Sequence, residues 1–591
     1  MRSNSMFKNP CNWRPFSGQT ARGVLALSMA MYFTAIAASA QTTASVSVNA
    51  SSTMATVGPE AYGVDTAVYD NFLISSGVAA ELKSAGITAI RYPGGSYADI
   101  FNFISGTDQT MNDGGYLASG NTFNNWMSDL VLPEGGHAVI TVNYGSNLTN
   151  NGGAQPSEAA SWVQYANVTN NYDIVYWEIG NEIYGNGYYS TSLDWEYDLH
   201  DTDTTAADRV GNSALSPTAY GANAAAFIKA MKAVDPNIKC GVFASDASTY
   251  PNWDQDVLSA ISSGLNGSGF TLDFVIEHYY PSGTLPQILA AQSGIPSQVS
   301  QLRSDISKYY TLGNGSSLQI LITESGPGAT TSGGVYPFLF AADDYLTWIE
   351  NGAANVEYQE LHNGFLESTS TDWTTPYGPW YGASLSSTIA RPGDTMVAAS
   401  SSNSLLRAHA VKRADGQTGI ILLNDDPSNS TTATVAVSGV TLASTGTQYN
   451  FGSANFSGSN LNANTGISSS SISGLGSSFK VTVPAYSAMG LLIPAGSSCT
   501  PTTIVPFVSV NGGSTWTQES TATVSSTTTA VDLGPQPTSG GSWSWTGPNG
   551  FTSTSRQINS IRLSTGANTY VATYTNASSC KSTQSFTITV N

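Results

Sequence analysis

The chain is short of charge. Only 10% of its 591 residues are Asp, Glu, Lys or Arg, against roughly 25% in an ordinary soluble protein. Cations are the scarcer sign, with 20 Lys and Arg facing 40 Asp and Glu for a formal net charge of −20. So acidic a surface repels phosphate backbones, which sets nucleic-acid binding aside. Cysteine is also scarce, with four in the chain. None forms a C-x-x-C pair and no His/Cys cluster has metal-ligand spacing, so neither a metal nor another cofactor is expected. There is no G-x-S-x-G elbow, which disfavours a Ser-His-Asp hydrolase. Past the first forty residues no run is apolar enough to cross a bilayer. Gly, Ser, Thr and Asn fill the space left by the charges, a mixture that suits extracellular β-rich modules with long surface loops.

The N-terminus reads as a secretory signal. Arg2, Lys8, Arg14 and Arg22 precede or flank an apolar stretch from Gly23 to Ala37, and Ala38-Ser39-Ala40 follows as an A-x-A cleavage site. A secreted or periplasmic location is expected, with no membrane contact once residues 1–40 are removed. Losing those four cations leaves residues 41–591 at −24. Cys11 departs with the leader, and Cys240 lies in an apolar strand-like run and reads as a buried thiol. Cys499 and Cys580 bracket the last module and are the natural pair for one disulfide in an oxidising compartment.

From about residue 60 to 362 the pattern alternates between strand and helix. Short apolar or β-branched runs recur at Ala61–Val64, Ile87–Arg91, Ala138–Asn143, Ile174–Ile179, Lys239–Phe243, Phe274–His278, Gln319–Thr323 and Asn355–Leu361. Helix-like stretches such as Phe72–Ser84, Phe123–Leu132, Glu158–Val168, Pro217–Val234, Gln298–Tyr310 and Pro337–Asn351 fill most gaps. Eight strands separated by helices predict an α/β fold, a (β/α)₈ TIM barrel over 59–394. Residues 395–495 change to strands broken by Gly, Ser and Asn turns and predict an all-β sandwich, to which the extended segment 41–58 can add a strand. Residues 499–591 have the size and spacing of a C-terminal immunoglobulin-like β-sandwich. In that module Trp543 and Trp545 alternate onto one strand face and read as core rather than as a sugar platform.

Two segments carry chemistry. Tyr176-Trp177-Glu178-Ile179-Gly180-Asn181-Glu182 ends the fourth strand, and Leu321-Ile322-Thr323-Glu324-Ser325-Gly326 ends the seventh. Side chains at C-terminal strand ends of a barrel point into its mouth, so Glu182 and Glu324 can face each other across it. Glycosidic cleavage requires such a pair, one carboxylic acid to protonate the leaving oxygen and one carboxylate to attack the anomeric carbon. The Glu324 charge is expected to raise the pKa of the acid, Glu182. Glu277 and Glu360 are rival nucleophiles, and Glu178 reads as a buried partner.

Trp177-Glu178-Ile179-Gly180-Asn181-Glu182 resembles the strand-four signature of glycoside hydrolase clan A. Arg91-Tyr92-Pro93-Gly94-Gly95 resembles a segment of the family 51 α-L-arabinofuranosidases and the related families 39 and 79. The resemblance covers roughly residues 58–495. It implies Glu182 as acid/base, Glu324 as nucleophile, Asn181 as ligand of the neighbouring sugar hydroxyl and Arg91 as partner of the nucleophile. It also implies that His278 with Tyr279 or Tyr280 orients the nucleophile. Asp65 stands near the position of a family Glu after Tyr62-Gly63. Ser96 replaces a common Asn, Ser325-Gly326 a common Trp-Asn, and no Trp ends the eighth strand. These departures fall on substrate-binding positions.

Asn143 and Tyr144 end the third strand, where they can line the cleft or cap the strand. Asp198, Asp201 and Asp203 form an acidic loop cluster whose spacing misses the EF-hand pattern and reads as solvated loop rather than calcium site. The reading that unites these features is a retaining glycosidase. It would act on a polysaccharide or oligosaccharide, arabinofuranosidase-like first and an endo-acting cellulase, xylanase or glucuronidase second. A non-catalytic carbohydrate-binding protein is the rival of another class, and it has no need of the carboxylate pair.

Overall fold

The structure is a computed structural model. It describes residues 41–108, 116–202, 205–245, 247–328, 334–367, 373–457, 462–496, 501–528 and 530–591. Eight parallel strands close into a barrel: β1 (Tyr62–Asp65), β2 (Ala89–Tyr92), β3 (His137–Val142), β4 (Tyr176–Ile179), β5 (Lys239–Phe243), β6 (Phe274–Tyr279), β7 (Gln319–Ser325) and β8 (Asn355–Tyr358). β1, β2, β4 and β8 are buried along their whole length, as parallel strands covered on both faces must be. Helices form the outer layer. Ile295–Tyr309 shows the reason, since Ile295, Val299, Leu302 and Ile306 make one buried stripe while its polar residues face outward.

Helix Pro217–Val234 has the bounds expected of it, with the Ser216 side chain accepting from the Ala219 N–H and Pro217 in the first turn. Two longer helices were given no bounds by the sequence. Trp253–Leu265, between β5 and β6 in the chain, packs against Pro217–Val234, and Gly378–Ile389 lies against Val335–Glu350. The stretch read as one helix over Phe123–Leu132 is a short helix to Trp126 followed by a wider turn through Met127–Val131.

After the barrel comes one nine-stranded sheet. Its fourth to eighth members run Thr418–Asn424, Leu406–Lys412, Thr395–Ser401, Thr42–Thr56 and Thr431–Ser438. Thr42–Thr56 is therefore an interior strand, seventh of the nine, antiparallel to Thr395–Ser401 and parallel to Thr431–Ser438. Its sequence dictates this, because Ala44, Val46, Val48 and Ala50 are buried and the residues between them exposed. One sheet face closes over its own core around Val46, Leu422, Val435 and Leu491. The other face contributes Met396, Val411, Ile421, Leu423 and Phe451 to the core of the barrel.

Residues 501–591 add a five-stranded sheet ordered Thr521–Val524, Lys581–Val590, Gly566–Asn576, Gly541–Gly547 and Phe551–Ser553, with a two-stranded pair Val508–Ser509 and Asp532–Leu533. Trp543 and Trp545 are both buried in its core, and Trp545 Nε1 donates to the Ser555 carbonyl. Cys580 is disulfide-bonded and Cys240 is a buried free thiol. Cys499 lies outside the described residues, as do Cys11 and the whole of 1–40.

A buried ionic clasp ties the sheet to the barrel. His409, on the sheet, bonds Asp343 and Glu350 of helix Val335–Glu350 at 2.9 Å each, and Arg407 Nε bonds Asp343 at 2.9 Å. Burial disfavours the His409 charge, but Glu350 and Asp343 outweigh it and push the imidazole up from 6.5 to about 9. Burial likewise opposes ionised Asp343, yet Arg407 and His409 pull it down to about 2. The clasp is at full strength between these displaced and ordinary values, from about pH 4 to 6.5. Its His409 contribution is then lost as pH rises through about 9. Melting temperature is expected to fall from pH 6 to pH 9.5. His409→Gln should flatten that slope by up to about 3 kcal/mol, and a slope unchanged in the variant would remove His409 from the account.

Candidate active site

Arg91 stands at the end of β2 with no solvent exposure and four polar partners. Its Nε donates to Glu178 at 2.8 Å, and its Nη1 donates to Asp65 at 3.1 Å and Glu324 at 2.9 Å. Its Nη2 donates to the Asn181 side-chain oxygen at 2.9 Å. One guanidinium thus fixes residues from β1, β4 and β7 and the turn after β4. The chain around it must approach closely. A Cβ on Gly94, whose φ is +86°, would lie 1.6 Å from the Thr66 carbonyl oxygen.

The turn after β4 delivers the other carboxylate. Gly180 takes φ +73°, where a Cβ would press on Tyr144 and Ile183. Glu182 itself takes φ +35°, a strained value for a non-glycine residue. The Asn181 N–H donates to Asp99 at 2.8 Å and its Nδ2 to Glu196 at 3.0 Å, which holds the turn from both sides. Asp99 is pushed up to about 8 by burial, against three backbone N–H donors. Burial, with Asp99 and Glu182 nearby, holds Glu196 well above the usual carboxylate range.

Glu182 Oε1 lies 2.7 Å from His278 Nδ1, and Trp195 Nε1 donates to Glu182 Oε2 at 3.2 Å. His278 Nδ1 is also 3.4 Å from Glu324 Oε2, to which the Tyr280 hydroxyl donates at 2.7 Å. The ligand atoms of Glu182, His278 and Glu324 all lie within 4.8 Å of one another. The expectation that Glu324 raises the Glu182 pKa is corrected. Burial does push it up, but the His278 hydrogen bond and charge prevail and hold the carboxyl below its ordinary value. His278 intervenes between the two acids and screens one from the other.

The structure brings together Glu182, Glu324, Asn181, Arg91, His278, Tyr280 and Asp65. Asp65 has no solvent exposure, and burial keeps its carboxyl well above the ordinary range despite Arg91. It belongs to the network beneath the pair and offers substrate no surface. Two candidates make other contacts. Asn143 donates to the Phe101 carbonyl and to Ser146 Oγ, both at 3.2 Å, and its oxygen accepts from the Ser146 N–H, so it closes a turn. The Tyr279 ring packs edge-on against Trp348 of the outer helix, while the residue still borders the cavity beside Glu182. Glu360, the rival at the eighth strand, accepts from the Tyr69 hydroxyl at 2.9 Å. In the acidic loop Asp198 accepts from Asn186 and bonds His200, and Asp201 accepts from Asn212. Asp203 lies outside the described residues.

Asp99, Trp195 and Glu196 were missed from the sequence. Trp195 and Glu196 lie in the long loop Asn186–Ser216, legible only as a cleft-shaping segment, and Asp99 lies in a short turn after β2. Two cavities meet at Tyr280, whose hydroxyl bonds Glu324. One of about 460 Å³ is bordered by Glu182, Trp195 and His278, and one of about 510 Å³ by Glu360 and Tyr69, with Tyr280 on the edge of both.

No protein-family model matches the chain. Proteins named probable α-L-arabinofuranosidase C from Aspergillus fumigatus and Aspergillus clavatus are 25% identical to it over 295 and 297 residues. The match takes in 43% of this chain and 52% of theirs, so the chain spans about half the length of these curated relatives. Among solved structures, the α-L-arabinofuranosidase of Thermotoga maritima in complex with arabinose has a TM-score of 0.60 at 16% identity. That superposition covers 76% of this chain and 99% of the other. A family 51 α-L-arabinofuranosidase of Bifidobacterium longum has a TM-score of 0.58 at 15% identity, covering 77% and 100%. A family 44 xyloglucanase of Paenibacillus polymyxa has one of 0.56 at 14%, covering 77% and 100%. The chain has the fold of these clan A glycoside hydrolases and resembles the family 51 α-L-arabinofuranosidases.

Proposed function

We propose that this protein is a secreted retaining glycoside hydrolase that acts on a polysaccharide or oligosaccharide, with α-L-arabinofuranosides the first-choice substrates. The observation that carries the reading is the carboxylate pair, whose closest oxygens lie within 4.8 Å. Double displacement works at about 5–5.5 Å, whereas inversion needs about 6.5–9.5 Å to admit a water between the groups. In this reading Glu324 attacks the anomeric carbon, the bond to the leaving oxygen breaks, and Glu182 supplies the proton. Water then hydrolyses the glycosyl ester with Glu182 as base. Arg91 and Tyr280 donate to the two oxygens of Glu324 and orient it. The second N–H of Asn181 Nδ2 is free to donate to a sugar hydroxyl beside the reacting carbon. The arabinofuranoside preference draws on the names of the 25% identical relatives. An endo-acting reading is favoured by one observation, a second cavity of about 510 Å³ that shares Tyr280, the hydrogen-bond partner of Glu324, with the first.

Glu324→Ala is expected to lower turnover by about 10³-fold or more. Added azide should restore part of it with an inverted product. Rescue in Glu277→Ala instead would move the nucleophile to β6. Glu182→Gln is expected to cost about 10²–10⁴-fold on glycosides with poor leaving groups and far less on dinitrophenyl glycosides. Equal losses across a leaving-group series would exclude Glu182 as the acid.

A further inference from the structure

The 460 Å³ cavity is bordered by Glu182 and not by Glu324. On the reading above, the acid protonates the leaving oxygen, so the departing group lies on the Glu182 side. The indole of Trp195, 42% exposed, stands at this cavity with its N–H on Glu182 and presents a flat apolar face of the kind that stacks on sugar rings. Across from it, helix Ile295–Tyr309 turns Gln298, Gln301 and Asp305 toward the cavity, positions that share one helix face. Gln301 Nε2 donates to Asp305 at 2.9 Å, which leaves its oxygen and a second N–H for a ligand. The Ser245 hydroxyl also lines the cavity, 92% buried, and has no hydrogen-bond partner among the described residues. A polar group so buried and unpaired calls for a partner from a ligand or water.

The charge of the lining is one-sided. Glu277 and Asp305 border the cavity together with Asp254, which burial pushes up to about 7, and apart from His278 no described side chain there can carry positive charge. A carboxylate on the departing sugar would enter that field against repulsion.

We propose that this cavity is the leaving-group subsite and that it binds an uncharged sugar, stacked on Trp195 and bonded by Ser245, Gln298 and Gln301, while selecting against uronic acids. The inference rests on the glycosidase reading and specifies its substrate class.

The test uses two disaccharides, α-L-arabinofuranosyl xyloside and α-L-arabinofuranosyl glucuronide, whose leaving sugars differ only in the C5 carboxylate, beside an aryl α-L-arabinofuranoside. The full chain is expected to show kcat/KM at least about tenfold higher on the xyloside than on the glucuronide. Gln301→Lys, at an exposed helix position, should narrow that preference by about tenfold. The Gln298→Ala/Gln301→Ala variant should lower the ratio of xyloside to aryl activity by roughly tenfold. Equal turnover of both disaccharides, or ratios that neither variant moves, would overturn the subsite while leaving the glycosidase reading standing. No turnover of all three compounds would overturn the arabinofuranosidase reading and the subsite together.

Discussion

Everything at the barrel mouth depends on one guanidinium. Among the described residues Arg91 is the one Arg or Lys bonded to a set of buried acids that includes Asp65, Glu178 and Glu324, with Glu357 also close enough to feel its charge. A buried ion cluster is stable only when its desolvation is met by good geometry and complete hydrogen bonding. Arg91 meets this with a fork whose Nε, Nη1 and Nη2 all donate. A lysine could not, since one ammonium cannot span residues from three strands and a turn. Burial holds Asp65 and Glu357 well above the ordinary carboxylate range, so fewer negative charges compete for the single cation. The geometry that satisfies Arg91 also holds Glu324 and Asn181 in fixed positions, and preorganised groups are what a reacting centre needs.

That preorganisation reaches beyond the barrel. Ser325 follows Glu324, and its hydroxyl donates to Asp344 at 2.6 Å on helix Val335–Glu350. The next residue back along that helix, Asp343, is clasped by Arg407 and His409 of the nine-stranded sheet. A continuous chain of polar contacts therefore links the sheet to the residue beside Glu324. The sheet braces the helix that braces β7, which is a mechanical reason for the barrel and sheet to share one apolar core.

The sequence showed the barrel clearly because parallel strands buried on both faces leave unbroken apolar runs, and the bounds of β5 and of helix Pro217–Val234 match their patterns. Helix Gly378–Ile389 was hidden by its own packing. Gly382 lowers helix propensity, yet a Cβ there would lie 2.9 Å from the Ala341 Cβ, so the glycine permits close approach of two helices. The site was legible where it sits on strand ends, at Glu182, Glu324, Arg91 and His278. It was illegible where loops supply it. Trp195, Glu196 and Asp99 follow no period and fit no motif, because only the fold brings Glu196 to Ser96 and Asn181. Asn143 shows the opposite failure, a strand-end residue whose side chain closes a turn.

The low pKa of Glu182 bears on how an acid can work here. Its Oε1 lies 2.7 Å from His278 Nδ1, and that bond is a main cause of the downward shift. On the proposed double displacement the leaving oxygen is protonated in the same step that forms the ester, so Glu182 must hold its proton before Glu324 attacks. The group placed to exchange a proton with it is the imidazole it already touches. That same ring nitrogen is 3.4 Å from Glu324 Oε2, so one side chain contacts both carboxyls and links the position of each to the other.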